Sequence, residues 1–394
     1  MGWNERLAAL AGARRAAGLW RARRVIEERN GRWLTAGGRR RLDFASNDYL
    51  GLAADPRLSA ALAAALGANG TGSGAARLVT GNFAVHETLE HEIAAWLGRD
   101  RALLFSSGYQ ANLALAQGLL QRGDVVLGDK LNHASLIDAA RLGAADFRRY
   151  PHGDLDAARR LASAPRRGLL LIVSDGVFSM DGDTAPVRGL AALAGEHGAL
   201  LAIDDAHGIG VLGETGRGVL EAAGAGQDEV PLLIGTFGKA FGTAGAFVAG
   251  PRPLIDHLEQ TARTWIYTTA PPPALAAATL AALDIIRTEP ERRVALHRNI
   301  AYFRDRARAA GLPLGASSSA IQPLVLGSAA RTMAVAGALE RAGFWVGAMR
   351  PPTVPEGTAR LRITLSAGHE TEMIERLVET LAATLDDHPA APGG

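Results

Sequence analysis

From roughly residue 85 to residue 250 the chain alternates between two hydrophobic rhythms. Helical periodicity gives way repeatedly to short, nearly continuous apolar runs that end in polar residues. Residues 169–173 run into Ser174-Asp175, residues 199–203 into Asp204-Asp205, and residues 231–234 into Gly235-Thr236. Uninterrupted apolar strands separated by helices predict an α/β fold with a mostly parallel sheet covered on both faces. In such sheets a ligand sits beyond the carboxyl ends of the strands. The polar residues just named occupy those ends.

The flanking patterns differ. Residues 1–30 read as an amphipathic, Ala/Arg-rich helix, residues 43–52 as a short strand and turn, residues 56–66 as a helix, and residues 69–74 as a glycine-rich loop. The alternation stops at Tyr267-Thr268-Thr269-Ala270-Pro271-Pro272-Pro273. One long helical stretch is expected from there to about Ala310. Beyond Gly311, two or three short strands and two helices predict a small α+β domain. The expected division is an N-terminal arm of helix and short strands over 1–55, a large α/β domain over 56–285 and a small C-terminal α+β domain over 286–394. The last residues, 389–394, read as a frayed end.

Composition narrows the function more than the fold. The 394 residues are 48% hydrophobic and 21% charged, with a net charge of +2, so charge does not mark a nucleic-acid binder. Arginines gather near the start, from Arg14 to Arg41, mostly as a solvated face. There is no cysteine, which excludes disulfides, thiolate zinc sites and a cysteine nucleophile. No uncharged apolar run reaches the ~18 residues of a membrane-spanning helix, and Met1-Gly2-Trp3-Asn4-Glu5-Arg6 lacks a signal-peptide pattern. A cytoplasmic protein is expected.

Lysine usage is more telling. Of 42 Lys and Arg, only Lys130 and Lys239 are lysine. Arginine stays protonated near neutral pH, whereas a lysine amine can lose its proton and form a Schiff base. Lys239 lies in Gly235-Thr236-Phe237-Gly238-Lys239-Ala240-Phe241-Gly242, directly after an apolar run. Asp204 and His207 come from the preceding strand end. Gly108 and Tyr109 stand immediately before the helical pattern that starts at Gln110, and the free amides of a helix N-terminus there suit a phosphate. His133 follows the apolar run at 125–127. A phosphate cradle, a carboxylate, an imidazole and an amine are the parts required by pyridoxal 5′-phosphate. Two other readings share these residues. Asp204, Asp205, His207 and His133 supply the ligand types of a metal-dependent hydrolase, and His133 alone suits an ordinary packed histidine. Gly70, Gly72 and Gly74 mimic a dinucleotide fingerprint, but no strand precedes them.

Longer blocks carry a resemblance. Ser46-Asn47-Asp48-Tyr49-Leu50-Gly51-Leu52, Gly72-Ser73-Gly74 through Arg77-Leu78-Val79-Thr80-Gly81, Gly176-Val177-Phe178-Ser179-Met180-Asp181-Gly182-Asp183, Asp204-Asp205-Ala206-His207-Gly208, Thr236-Phe237-Gly238-Lys239 and Arg350-Pro351-Pro352-Thr353-Val354-Pro355 occur in order. The chain resembles the α-oxoamine synthases, fold-type I pyridoxal-phosphate enzymes, and most closely their biotin-pathway branch. The likeness runs from Trp3 to about Leu381.

That resemblance implies a fold-type I, aspartate-aminotransferase-like architecture. It implies that Lys239 bonds the cofactor, Asp204 pairs with the pyridinium nitrogen, and His207 and Ser179 hold the ring's phenolic oxygen. His133 would stack on the ring; Gly108, Tyr109 and Thr236 would hold the phosphate. On the substrate side it implies Arg21, Asn47, Arg350 and Thr353, with Arg362 taking the amino-acid carboxylate. No metal is implied. The implied reaction is decarboxylative condensation of L-alanine with pimeloyl-CoA or a pimeloyl-carrier protein. A sister reaction, glycine with acetyl-CoA giving 2-amino-3-oxobutyrate, needs nearly the same site. A homodimer with shared sites is implied; Tyr267-Thr268-Thr269 is a candidate to reach the neighbour's phosphate, the ordinary alternative being a loop-to-helix cap. Two departures from the family pattern stand out: Ala75-Ala76 replaces Gly-Ser, and Asp175 replaces glutamate.

Overall fold

A computed structural model describes residues 2–389. The expected frayed end at 390–394 lies outside the described residues. Thirteen strands run along the described chain: β1 (Glu28–Asn30), β2 (Trp33–Ala36), β3 (Arg39–Phe44), β4 (Arg101–Phe105), β5 (Val125–Asp129), β6 (Asp146–Tyr150), β7 (Leu170–Asp175), β8 (Leu200–Asp204), β9 (Leu232–Thr236), β10 (Ala246–Gly250), β11 (Ile321–Gly327), β12 (Phe344–Met349) and β13 (Ala359–Thr364). They fall into two compact units. Among the described residues, one comprises 47–179 and 183–294; the other comprises 2–46, 180–182 and 295–389.

The first unit is built on a seven-stranded sheet in the order β4-β10-β9-β8-β7-β5-β6. β9, β8, β7, β5 and β6 are mutually parallel, while β10 is antiparallel to both β4 and β9. The runs at 169–173, 199–203 and 231–234 are the cores of β7, β8 and β9, and their polar tails are the strands' last residues. Because the strands are parallel and in register (Asp175 lies opposite Asp204), those tails share one edge. The helix Gly108–Leu119 buries Ala111, Ala114 and Leu115 in a cluster with Phe105, Val126, Val173 and Ile234. Burying a stripe of this kind stabilises by ~25 cal/mol per Å² of apolar surface. It holds the helix N-terminus against the polar edge.

The second unit contains a six-stranded sheet, β1-β2-β3-β12-β13-β11. β3 pairs with β12 in parallel, Leu42 opposite Phe344 and Phe44 opposite Val346. The chain's two ends therefore share one sheet and one unit, and the division differs from the separate 1–55 and 286–394 segments expected. Residues 180–182 also belong to this unit.

Two helices are shorter than their sequence patterns. The N-terminal helix spans Trp3–Ala16, and the chain reverses at Gly18, whose φ is +66°. The Ala/Arg pattern beyond it is irregular chain, leading into β1. The long stretch after residue 272 is two helices, Pro273–Thr288 and Glu291–Ala309. Pro290 interrupts it because proline has no N–H for the helical ladder and clashes with the preceding turn. Among the described residues, no helix is long and apolar enough to cross a membrane.

Candidate active site

The amine is placed by a tight connection between β9 and β10. Phe237 N donates to Gly245 O at 2.9 Å, Thr243 N to Phe237 O at 3.0 Å, and Gly242 N to Lys239 O at 2.9 Å. Thr236 Oγ1 donates to Gly245 O at 3.0 Å and accepts from Gly238 N at 3.2 Å. Gly242 has φ +68°, and a Cβ there would lie 2.3 Å from Ala53 N. Both the backbone region and the approach demand glycine. We therefore expect Gly242→Ala to lower the thermal midpoint and displace Lys239, destabilising by at least about 1–3 kcal/mol. Differential scanning calorimetry measures the loss.

Lys239 Nζ lies 2.8 Å from His207 Nε2, and His207 Nδ1 lies 2.6 Å from the hydroxyl of Tyr49. An ammonium has donors only, so a protonated Lys239 donates to Nε2, leaving Nδ1–H to face Tyr49.

Asp204 closes the other side at the end of β8. Its Oδ2 accepts from Asn112 Nδ2 at 2.6 Å and its Oδ1 from Ala206 N at 3.1 Å. Asn112 Nδ2 also donates to Ser135 Oγ at 2.8 Å, and Ser135 Oγ lies 2.7 Å from His133 Nδ1. With Ser135 N also donating to Nδ1 at 3.3 Å, that nitrogen is the acceptor and the ring proton sits on Nε2. Burial lowers the His133 pKa, outweighing the pull of Asp204, and favours the neutral ring.

Asp175 is buried, and burial, reinforced by Asp204, raises its carboxyl well above the usual range. Its Oδ2 accepts from His133 N at 2.9 Å, so the shorter carboxylate braces the His133 backbone. Asp205 is buried too and serves a different place: it accepts from Val219 N at 2.7 Å. Burial raises its carboxyl as well. Among the described residues, no group of three or more His, Cys, Asp or Glu is arranged to hold a metal ion.

The eight residues expected to hold the cofactor line one cleft of about 190 Å³: Gly108, Tyr109, His133, Ser179, Asp204, His207, Thr236 and Lys239. Ser107 caps the helix there, accepting from Gln110 N at 3.3 Å. The amides of the first turn have no intrahelical acceptor and suit an anion.

The substrate-side residues are distributed differently. Arg21, Arg350 and Thr353 line a second cleft of about 580 Å³, within the smaller unit, with Trp20, Arg24, Glu340 and Trp345. Arg21 Nη2 donates to Thr353 Oγ1 at 2.7 Å, and Arg350 Nη2 to Trp20 O at 2.8 Å. Arg21 stands in the irregular segment after the first helix, not on a helix face. Arg362 is buried on β13, where Nη1 donates to Thr364 Oγ1 at 3.1 Å. Asn47 Oδ1 accepts from the Tyr49 hydroxyl at 3.3 Å.

Residues 39–381 match the family model for aminotransferase class I and II. A curated 8-amino-7-oxononanoate synthase from Alkalilimnicola ehrlichii is 55% identical over 375 residues, covering 95% of this chain and 96% of the relative. The chain belongs to the aminotransferase class I and II family, among its 8-amino-7-oxononanoate synthases. It is a pyridoxal 5′-phosphate-dependent acyltransferase of fold type I. Solved structures agree. A serine palmitoyltransferase from S. paucimobilis, with a bound PLP–myriocin aldimine, superposes with a TM-score of 0.91 at 30% identity, covering 97% of each chain. An 8-amino-7-oxononanoate synthase from Francisella tularensis gives 0.77 at 30% identity, covering 88% of this chain and 98% of its own.

The first cleft fits the family's cofactor by the chemistry of its donors. It holds an amine, a buried carboxylate fixed by two donors, a neutral ring and a helix N-terminus. Sequence reasoning assigned no role to Tyr49, Asn112 or Ser135, which orient His207, Asp204 and His133. The available signal for Asn112 was a polar residue on the buried stripe of an otherwise apolar helix pattern.

Proposed function

We propose that this chain joins L-alanine to a pimeloyl thioester, releasing carbon dioxide and the thiol and giving 8-amino-7-oxononanoate. When bound, the cofactor supplies an electron sink that stabilises negative charge on the amino acid's α-carbon. Gly108, Tyr109 and Thr236 hold its phosphate, and Asp204 keeps its ring nitrogen protonated. His133 covers the ring, and Ser179 with His207 anchors the phenolic oxygen. Lys239 Nζ moves the α-proton, and His207 Nε2, 2.8 Å away, keeps that amine aimed at the cleft. Arg362 takes the amino-acid carboxylate through a forked, charge-assisted contact. Arg21, Arg350 and Thr353 meet the acyl donor, and Asn47 contacts substrate from beside Tyr49. Tyr267, exposed at 72%, and its neighbours Thr268 and Thr269 reach the phosphate of a second copy in a homodimer.

The observation that carries this reading is the convergence of Lys239, Asp204, His133 and the first helical turn at Gly108 in one cleft. Direct competition tests the substrates. Purified enzyme given L-alanine with pimeloyl-CoA alongside glycine with acetyl-CoA is expected to consume the first pair by a wide margin; preference for the second assigns the sister reaction instead. Static light scattering is expected to give a dimer, and a fully active monomer contradicts the shared site.

A further inference from the structure

One cluster of charged groups beside the site has no part in the reaction just described. His152 stands just beyond β6. Its Nδ1 lies 3.1 Å from both oxygens of Asp129, the last residue of β5, and its Nε2 lies 2.8 Å from Asp183 Oδ2. A neutral imidazole has one N–H and could satisfy only one of these carboxylates. Two carboxylates facing the two ring nitrogens select the imidazolium. Asp129 and Asp183 together push the His152 pKa up to about 10 against the cost of burial.

The Asp129 side chain is only 2% exposed and also accepts from Leu131 N at 2.7 Å and Gly153 N at 2.9 Å. It is a fixed anchor at the end of the sheet. Asp183 belongs to the segment that is held, its Oδ2 facing His152 Nε2. It closes a reversal of chain in which Phe178 N donates to Asp183 O at 2.9 Å, Ala185 N donates to Gly176 O at 2.9 Å, and Val177 bridges Thr184. The His152 ring also stands edge-on to Phe178, with centroids 4.4 Å apart and planes at 83°. His152 thus touches both the base of that reversal and the residue before Ser179, which lines the cofactor cleft.

We propose that His152 is a positioning residue: gripped as an imidazolium between Asp129 and Asp183, it ties the 176–185 reversal to the ends of β5 and β6 and so fixes Ser179 at the cofactor's edge. This rests on the reading of Ser179 as a cofactor contact. A clamp acting through Ser179 differs from a merely stabilising ion pair in one respect. Its loss must weaken cofactor binding only while the Ser179 hydroxyl is present.

The test measures the dissociation constant of pyridoxal 5′-phosphate from the full chain, by visible absorbance, for wild type, His152→Gln, Ser179→Ala and the double variant. Apoprotein unfolding temperatures are recorded in parallel. Asp183→Asn provides a second route to the same break if His152→Gln does not fold. Ser179→Ala is expected to weaken binding. His152→Gln is expected to weaken it about tenfold, a typical loss for removing an outer hydrogen-bonded support, and to add nothing in the Ser179→Ala background. Equal weakening in both backgrounds, or a fall in unfolding temperature with unchanged binding, overturns the proposal. A Ser179→Ala variant that binds as wild type sinks the reading of Ser179 itself, and with it this route. In the apoprotein at neutral pH, nitrogen-15 NMR is expected to show both ring N–H groups of His152; a singly protonated ring also overturns the clamp.

Discussion

Replacing Lys239 with alanine is expected to lower kcat on the order of 10⁴-fold, the upper range for loss of a positioned proton-transfer group. Lys239 carries the one lysine amine lining the cofactor cleft, and the other lysine of the chain, Lys130, is exposed after β5. The informative partner is Lys239→Arg. It keeps the positive charge beside His207 but cannot give up its proton near neutral pH. If Lys239 served only as a counter-charge for the phosphate or the ring, arginine would restore most of the rate. On the present reading both variants are equally inactive, and both lose the absorbance band of a lysine-bound cofactor while still folding. Steady-state turnover of L-alanine with pimeloyl-CoA, read alongside the visible spectrum, decides the matter. Parent-like turnover by either variant removes the basis of the assignment.

The second large effect is expected at Asp204. Asp204→Asn preserves size and keeps a carbonyl oxygen for Ala206 N or Asn112 Nδ2, but removes the buried negative charge. The expected cost in kcat is on the order of 10²–10³-fold, the range for deleting one preorganised electrostatic contact in a desolvated site. Stability should move the other way or hardly at all. Burial is the main cause of the raised Asp175 carboxyl and the Asp204 charge adds to it, so removing that charge relieves only the repulsion. In the variant, the Asp175 pKa should therefore fall from its raised position. A rate loss accompanied by an unchanged or higher unfolding temperature fits an electrostatic role. Equal losses of rate and stability would instead mark Asp204 as a structural support for Asn112.

The pairing of these two residues shows how far the chain could be read directly. Lys239 was conspicuous because 40 of the 42 Lys and Arg are arginine, and because it follows an apolar run that becomes β9. Asp204 was conspicuous as the polar end of β8. Both signals are local. Asn112, which holds Asp204, is 92 residues away in sequence, and Tyr49, which faces His207, is 158 away. Neither has a local feature that names its partner. His152 was missed for the same reason: its carboxylates come from the end of β5 and from a reversal beyond β7. Pro290 is the opposite case. Its helix-breaking chemistry was present in the sequence, and the expectation of one helix from Pro273 to Ala310 passed over it.

By itself, then, the sequence determined the strand cores of the larger sheet, their parallel character, the chemical inventory of the cleft and the long ordered blocks of the family. Continuous apolar runs, glycine turns and residue chemistry act over a few positions, so they survive in a one-dimensional reading. Only the tertiary structure decided that β3 joins β12, that the two chain ends share a unit, and that Arg21 and Thr353 meet across 332 residues. Those pairings depend on which distant surfaces bury each other best after the chain entropy of closing long loops has been overcome. No short window of residues contains that balance.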